Sequence, residues 1–176
     1  MATTEQLRPP FVYHWVYAAK FLCGELKPSE GAVEQPVEGG RYATAINVHN
    51  PGSRQVTFRK KAVLLFDGAR PEEAVERPVP PGRPLTRELP PDFGLEIDCR
   101  DIRQVLLRGV GGPQGPPAPT FIKGWVVIET LVDAPLDVVA VYTTESLGAP
   151  ATQAPSIAVD RVIGNRLARS LFSTDG

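Results

Sequence analysis

Residues 121–144, FIKGWVVIETLVDAPLDVVAVYTT, decide how the rest of this chain is read. Two runs, residues 121–131 and 136–144, are dominated by Val, Ile, Trp, Tyr and Thr, which fit the half-buried surface of a sheet. The short connection between them contains Pro135, which cannot donate a hydrogen bond within a sheet and belongs in a turn. The pattern predicts a central β-hairpin around which the fold is organised.

Apolar residues occupy both faces of the two predicted strands. Alternation places Ile122, Val126 and Ile128 on one face of the first strand, and Trp125 and Val127 on the other. A sheet with one solvated face would alternate cleanly between apolar and polar residues, and this stretch does not. We therefore expect one face in the core and the other beneath a second layer, a long loop or a second subunit.

The composition is typical of one domain built from short strands. A chain of 176 residues is long enough for one domain with a sizeable core, and nineteen prolines and sixteen glycines disfavour long helices. The predicted fold is all-β, an antiparallel β-sandwich of jelly-roll-like type with seven to nine short strands and one short helix near residues 99–108. We expect residues 1–10 to be a flexible arm, residues 11–163 the domain and residues 164–176 a polar tail.

Several further segments have strand patterns. Residues 11–23, FVYHWVYAAKFLC, predict a strand in which Phe11, Tyr13, Trp15 and Tyr17 share one face. The turn signal Asn-Pro-Gly-Ser between two β-rich runs predicts a second hairpin over residues 47–66. The remaining predictions are a short edge strand near residues 74–79, strands over residues 93–97 and 156–163, and a Gly/Pro-rich loop over residues 109–119.

The predicted helix has a defined beginning. Asp98 is the expected N-cap, because its side chain can accept a hydrogen bond from the first turn. Ile102, Val105 and Leu106 follow with helical spacing. Earlier in the chain, Arg59, Lys60 and Lys61 form a basic run on a strand, so that Lys60 opposes its two neighbours. Such a run usually marks a solvated edge that blocks pairing with another sheet.

Charge and hydropathy limit the partners and the location. The net charge is −1, with 19 basic and 20 acidic residues, so no electrostatic surface for nucleic acid is indicated. No apolar run approaches the length of a membrane span. The N-terminal sequence MATTEQLRPP lacks the features of a secretion signal, which predicts a cytoplasmic protein. A secreted form whose signal has been removed is the alternative.

Four residues have side chains that commonly bind metals or act as nucleophiles: Cys23, Cys99, His14 and His49. Their spacing matches no metal-binding or nucleophile motif, so we expect neither a bound metal nor a cofactor. We expect both cysteines to be buried small hydrophobic residues, because a cytoplasmic location disfavours the alternative, a disulfide between them. An enzyme or metal protein built on these four residues is the least favoured functional hypothesis.

A set of blocks in fixed order resembles a family of bacterial proteins of unknown function. The blocks span about residues 17–162: YAAKFLCG, RYATAINVHNP with FRKKAVLLF, LEIDCRDI, FIKGWVVIE, LDVVAVYT and SIAVDRV. No activity follows from that resemblance. The pattern is also similar, more distantly, to small β-sandwich proteins of the sensory rhodopsin transducer type. That similarity implies an oligomer that binds partners, and it assigns no functional residue.

These observations favour binding or assembly over catalysis. The predicted function is that of a non-enzymatic structural or protein-interaction domain, a homo-oligomer with a possible protein partner. The candidate core or interface residues are Tyr13, Trp15, Tyr17, Trp125 and Tyr142, because aromatic side chains dominate the energetics of cores and interfaces. The alternative is a carbohydrate- or small-ligand-binding module that uses exposed aromatic residues.

Overall fold

The structure is a computed structural model that describes residues 11–27, 38–65, 82–108, 120–147 and 153–170. Within these residues nine strands form one antiparallel sheet, which confirms the all-β prediction. The strands are β1 (Phe11–Leu26), β2 (Gly40–His49), β3 (Val56–Leu64), β4 (Leu85–Leu89), β5 (Gly94–Asp98), β6 (Phe121–Thr130), β7 (Asp137–Ser146), β8 (Ser156–Arg161) and β9 (Asn165–Ser170). Along the sheet the order is β4-β3-β6-β1-β2-β7-β8, with β5 beside β2 and β9 beside β1.

Strand β1 links the two arms of the sheet. Its first residues pair with β9, its middle pairs with β6, and its last three residues pair with the beginning of β2. The first arm consists of β4, β3, β6, β9 and most of β1, and the second arm consists of β5, β2, β7 and β8. Alternate residues of both arms belong to one hydrophobic core, and the largest of its fully buried side chains are Phe21 and Phe58. The sandwich and jelly-roll details of the predicted fold stay predictions.

Gly24 lies where β1 passes from β6 to β2. Its φ angle is +107°, and a Cβ atom at this position would lie 1.8 Å from the carbonyl oxygen of Thr120. Only glycine accommodates both the left-handed backbone and so close an approach. The Arg103 guanidinium closes the corner by donating to the carbonyl oxygens of Cys23 (2.8 Å) and Thr120 (3.0 Å). Burial lowers the pKa of Arg103.

Both predicted hairpins are wrong, because their strands do not pair with each other. Strand β6 pairs with β1 and β3, whereas β7 pairs with β2 and β8. Residues 131–136 therefore cross from the first arm to the second, and residues 50–55 cross in the same way between β2 and β3. The face assignments within the strands were right, since Ile122, Val126 and Ile128 are buried. Alternation shows which residues share a face of each strand, but it does not say which strand lies beside it.

The connection between β2 and β3 is held by a buried asparagine. The Asn50 side-chain amide donates to the carbonyl oxygens of Arg54 (2.8 Å), Leu89 (2.9 Å) and Pro90 (3.1 Å). Its side-chain oxygen accepts from the Gly52 N–H at 3.0 Å. A hairpin turn would satisfy its backbone groups across the hairpin, whereas here one side chain satisfies carbonyls from two separate segments. The turn signal in this stretch therefore marks a connection between the two arms and not a hairpin.

The predicted helix is present and short. It begins as an α-helical turn, Cys99–Asp101, and continues as a π-helical turn, Ile102–Leu106. The N-cap prediction is confirmed, because the Asp98 carboxylate accepts from the Asp101 N–H at 2.8 Å. Ile102 and Leu106 are buried in the core, whereas Val105 is exposed. No helix within the described residues is long and apolar enough to cross a membrane.

Cys23 and Cys99 form a disulfide, so the expectation of two free cysteines is wrong. The bond joins β1 to the first turn of the helix across a sequence separation of 76 residues. It therefore connects the first arm to the segment that follows β5 of the second arm. Disulfides are rare in the cytoplasm and persist in oxidising compartments, and the cytoplasmic location stays a prediction.

The C-terminal region differs from its predicted description. Residues 165–170 form β9, which pairs with the first six residues of β1, so the sheet extends into the segment expected to be a polar tail. The edge strand of the Pro-rich region is β4, at residues 85–89. The predicted arm at residues 1–10, the strand near residues 74–79 and the loop at residues 109–119 lie outside the described residues.

Candidate interaction surface

Trp15, one of the predicted aromatic residues, is held within the molecule. Its side chain is half-buried against the core, and its indole N–H donates to Asp133 Oδ1 at 3.2 Å. Arg166 of β9 donates to both carboxylate oxygens of Asp133, at 3.0 and 2.5 Å. These hydrogen bonds, chiefly that from Arg166, hold the pKa of Asp133 below its usual value. The Trp15 side chain thereby ties β1 to the connection that precedes β7.

Tyr17 lies in the core. Only 2% of the residue is exposed, and its hydroxyl oxygen accepts the Leu136 N–H at 2.7 Å. A Cβ atom at Gly164 would lie 2.4 Å from the Tyr17 ring, so the chain between β8 and β9 passes directly over it. Burial raises the pKa of the phenol. Tyr17 therefore joins three segments at one end of the core, and the Tyr13 side chain lies outside the described part of the structure.

The other two predicted aromatic residues lie on different arms. Trp125 is 37% exposed on the outer face of β6, with Lys20 and Val63 beside it on the adjacent strands. Tyr142 is half-buried on β7, opposite Ala158 of β8, and burial raises its pKa. The structure therefore does not bring Trp15, Tyr17, Trp125 and Tyr142, the predicted residues whose side chains are described, together into one site.

The most exposed apolar side chains lie on or next to β8. Ile157 and Val159 are each 67% exposed, and Ile163, just beyond the strand, is 83% exposed. All six residues of β8 are exposed, although the strand is paired with β7 along its whole length. Within the described residues β7 is the sole partner of β8, so the strand is an edge of the sheet. An exposed apolar strand at a sheet edge is a ready site for pairing with another chain.

The outer face beside this edge is also apolar. Val159 lies opposite Val141, and Ile157 lies opposite Thr143, on the face of β7 that points away from the core. At the end of β8 the face becomes charged, where Arg161 donates to Asp137 at 3.0 Å. We call the following group the β8 surface: Ile157, Val159, Val141 and Thr143, together with the backbone edge of β8 with which no other described strand pairs.

The cysteine and histidine residues do not form a common site. Both thiols are used by the disulfide, which removes the nucleophile or soft ligand that this hypothesis needed. His14 lies 3.4 Å from Glu129, whereas His49 lies 3.9 Å from Asp137 on the second arm. Among the described residues, no group of three or more His, Cys, Asp and Glu side chains is placed to hold a metal ion.

Lys60 is buried, which corrects the prediction of a solvated basic run. The prediction that Lys60 lies on the opposite face from its two neighbours is confirmed, because Arg59 bonds Glu129 at 2.7 Å on the outer face while Lys60 points inward. Only 7% of Lys60 is exposed, beside Leu85 of β4. Burial lowers the pKa of the ammonium group, and the Asp101 carboxylate opposes that shift. The inner side of the β4 edge therefore contains a buried cationic side chain.

Comparison with known proteins assigns no family. No family model matches the chain, and no curated protein sequence matches it. A structure described as the crystal structure of Thermotoga maritima 1070 aligns with a TM-score of 0.41 at 9% sequence identity. The alignment covers 86% of this chain and 93% of that chain. A likeness at this level carries no argument about function.

The residues of the β8 surface were not among the predicted site residues. The search for interface anchors favoured large aromatic side chains, and those are mostly used inside this fold. The available signal was the segment SIAVDR itself, in which Ile157 and Val159 alternate with small or polar residues. That pattern is typical of a strand with one apolar face. It did not indicate that this face is the outer one.

Proposed function

We propose that the protein is a non-enzymatic interaction protein that binds a protein partner through the β8 surface. The observation that carries this proposal is the exposure of Ile157 and Val159, at 67% each, on an edge strand. Adding a strand to an exposed sheet edge is a common mode of protein recognition, in which backbone hydrogen bonds give affinity and side chains give specificity. The β8 surface offers both elements.

The alternative, a carbohydrate-binding module, has weaker support. A carbohydrate platform needs planar aromatic side chains side by side on a surface. Tyr17 is buried, and the indole N–H of Trp15 already bonds Asp133. Trp125 stands exposed on the outer face of β6 between Lys20 and Val63, without an aromatic side chain beside it on either neighbouring strand. Among the predicted aromatic residues whose side chains are described, only Trp125 is exposed, so it is the one predicted residue that supports this alternative.

Site-specific photo-cross-linking tests the proposal. A photoreactive amino acid is placed at position 159 of the full chain in the organism of origin, and a matched variant carries it at position 86. Both positions are exposed edge-strand positions on an outer face. We expect a discrete cross-linked protein product from position 159 and none from position 86. Equal yields from the two positions, or no product from position 159, would contradict the proposal.

A further inference from the structure

We infer that the partner of the β8 surface is a second copy of this chain. The two β8 strands pair antiparallel about a two-fold axis that passes through Ala158, and the two sheets become one. This inference rests on the proposed function, because it names the partner of that same surface. It follows from the direction of the unpaired backbone groups and from the order of side chains along β8.

The pairing with β7 fixes which backbone groups are available. The Val162 N–H donates to the Val138 carbonyl at 2.9 Å, which continues the register of β8 with β7. In an antiparallel pair, the residues that bond the neighbouring strand alternate with those that point away from it. Even-numbered residues of β8 therefore bond β7. The N–H and C=O groups of Ile157, Val159 and Arg161 point to the open edge.

Symmetry restricts the possible registers. A two-fold axis perpendicular to the sheet keeps the outer faces of both copies on the same side, so odd-numbered residues pair with odd-numbered residues. When the axis is centred on Ala158, Ile157 of each copy pairs with Val159 of the other, which gives two such pairs. On the other face it pairs Ser156 with Asp160 of the second copy, a hydroxyl donor with a carboxylate acceptor. Every cross-strand pair within residues 156–160 is chemically matched in this register.

The neighbouring registers are less favourable. An axis on Val159 places Ile157 against Arg161 of the second copy, whose guanidinium already bonds Asp137. An axis on Ile157 places Pro155 opposite Val159, next to the central pair, where a backbone donor is required and proline has none. The Ala158 register also places Pro155 opposite Arg161, but only at the outer ends of the contact, and it alone pairs Ile157 with Val159.

The expected dimer is weak. The contact is one six-residue strand per copy with its adjacent outer face, which is small compared with the interfaces of stable complexes. We therefore expect a dissociation constant on the order of 10 μM. Such a dimer forms and dissociates with concentration, and it brings the apolar outer faces of the two second arms into one continuous surface.

Single-cysteine cross-linking tests both the partner and the register. Three full-length variants, Ala158→Cys, Ile157→Cys and Val159→Cys, are oxidised mildly, and covalent dimers are counted on non-reducing gels. The native cysteines are held in their disulfide and do not compete. Position 158 faces itself across the axis in a pair with Cα atoms about 4.5 Å apart, which suits a disulfide. The Cα atoms of the two 159 positions lie about 8 Å apart, beyond disulfide range.

We expect a covalent dimer from Ala158→Cys, and little from the other two variants. A product mainly from Val159→Cys or Ile157→Cys would overturn the register. No dimer from any variant, together with a monomeric unmodified chain near 100 μM, would overturn the inference. In that case a cross-link from position 159 to a different protein would keep the proposed function, whereas absence of any such product would remove both. Circular dichroism establishes that each variant is folded.

Discussion

The two ends of the sheet, β4 and β8, are both exposed five- or six-residue strands, yet they expose different chemistry. Strand β4 turns its apolar ends, Leu85 and Leu89, toward the core and presents Thr86, Arg87 and Glu88 to solvent. The Gln55 side chain, in the segment before β3, donates to the Glu88 carboxylate at 2.9 Å. The side chains along this edge are therefore polar, and one of them is already hydrogen-bonded. Strand β8 presents Ile157 and Val159, and its inner face remains exposed as well.

The difference shows which edge is available for association. Charged side chains on an edge strand oppose pairing with another sheet, because pairing would desolvate them. Strand β4 follows that rule. Strand β8 has one acidic and one basic residue, both near its end, and the basic one is engaged by Asp137. The molecule therefore has one edge strand, β4, that is protected from pairing by charged side chains, and one, β8, that is not. A substitution on β4 is the control for the same substitution on β8.

Removing the disulfide has the largest expected effect on stability and tests how strongly the two arms are joined. The bond links the arm that ends in β4 to the segment after β5, in the arm that ends in β8. The double variant Cys23→Ser/Cys99→Ser is expected to lose about 4 kcal/mol of unfolding free energy, because a long loop is no longer closed in the unfolded chain. Denaturant titration measures the loss. A decrease below about 1 kcal/mol would contradict the expectation that the bond acts by restricting the unfolded chain.

Placing a lysine on each edge strand tests directly whether the two edges differ in self-association. Val159→Lys is expected to weaken self-association about 100-fold, because an ammonium group replaces an apolar partner of Ile157 at the centre of the contact. Thr86→Lys introduces the same side chain on the outer face of the β4 edge and is expected to leave self-association unchanged. Sedimentation equilibrium measures both constants. Equal effects of the two variants would mean that β8 has no special role.

The smallest expected effect concerns the buried cation near β4. Lys60→Met is expected to raise the unfolding free energy by about 1 kcal/mol at neutral pH, because it removes a charge whose burial is unfavourable. Thermal or denaturant unfolding measures the gain, with Lys61→Met as a control on the outer face. A loss of stability in Lys60→Met would mean that the ammonium group has a compensating interaction.

The pH dependence of this variant has a definite sign. Burial lowers the pKa of Lys60 in the folded chain below the ordinary 10.5. The unfolded chain therefore binds more protons between the folded-state pKa and 10.5, and stability contributed by Lys60 rises with pH across that window. The advantage of Lys60→Met over the parent chain should shrink as the pH approaches 10.5. A constant advantage at every pH would contradict the assignment to the ammonium group.

The sequence was sufficient to predict seven of the nine described strands and the short helix, whereas β4 and β9 were missed. Period-two alternation placed Ile122, Val126 and Ile128 on one face of β6, which is the buried face in the structure, and Asp98 identified the beginning of the helix. Pairing was not predictable in the same way, because two strands joined by a short connection can lie side by side or on opposite arms. Alternation is identical in the two cases. The buried Asn50 and the left-handed Gly24, which hold connections between the arms, are visible only once the arms are assembled.

The candidate surface was less predictable than the fold. Aromatic residues are the usual anchors of interfaces, yet in this chain the Tyr17 hydroxyl and the Trp15 indole serve internal contacts. The pairing of Cys23 with Cys99 depends on the distance between them, and that distance follows from the fold and not from any local pattern. Whether an apolar strand such as β8 faces the core or solvent depends on its neighbours, and no local pattern contains that information.

Static light scattering of the full chain over a dilution series, with Val159→Lys measured alongside, tests the central claim most directly. We expect the parent chain to approach twice the monomer mass of 19.1 kDa at about 100 μM and to fall to the monomer mass near 1 μM. The Val159→Lys variant should remain at the monomer mass throughout. A parent chain that is monomeric at every concentration, or a variant that dimerises as the parent does, would contradict assembly through the β8 surface.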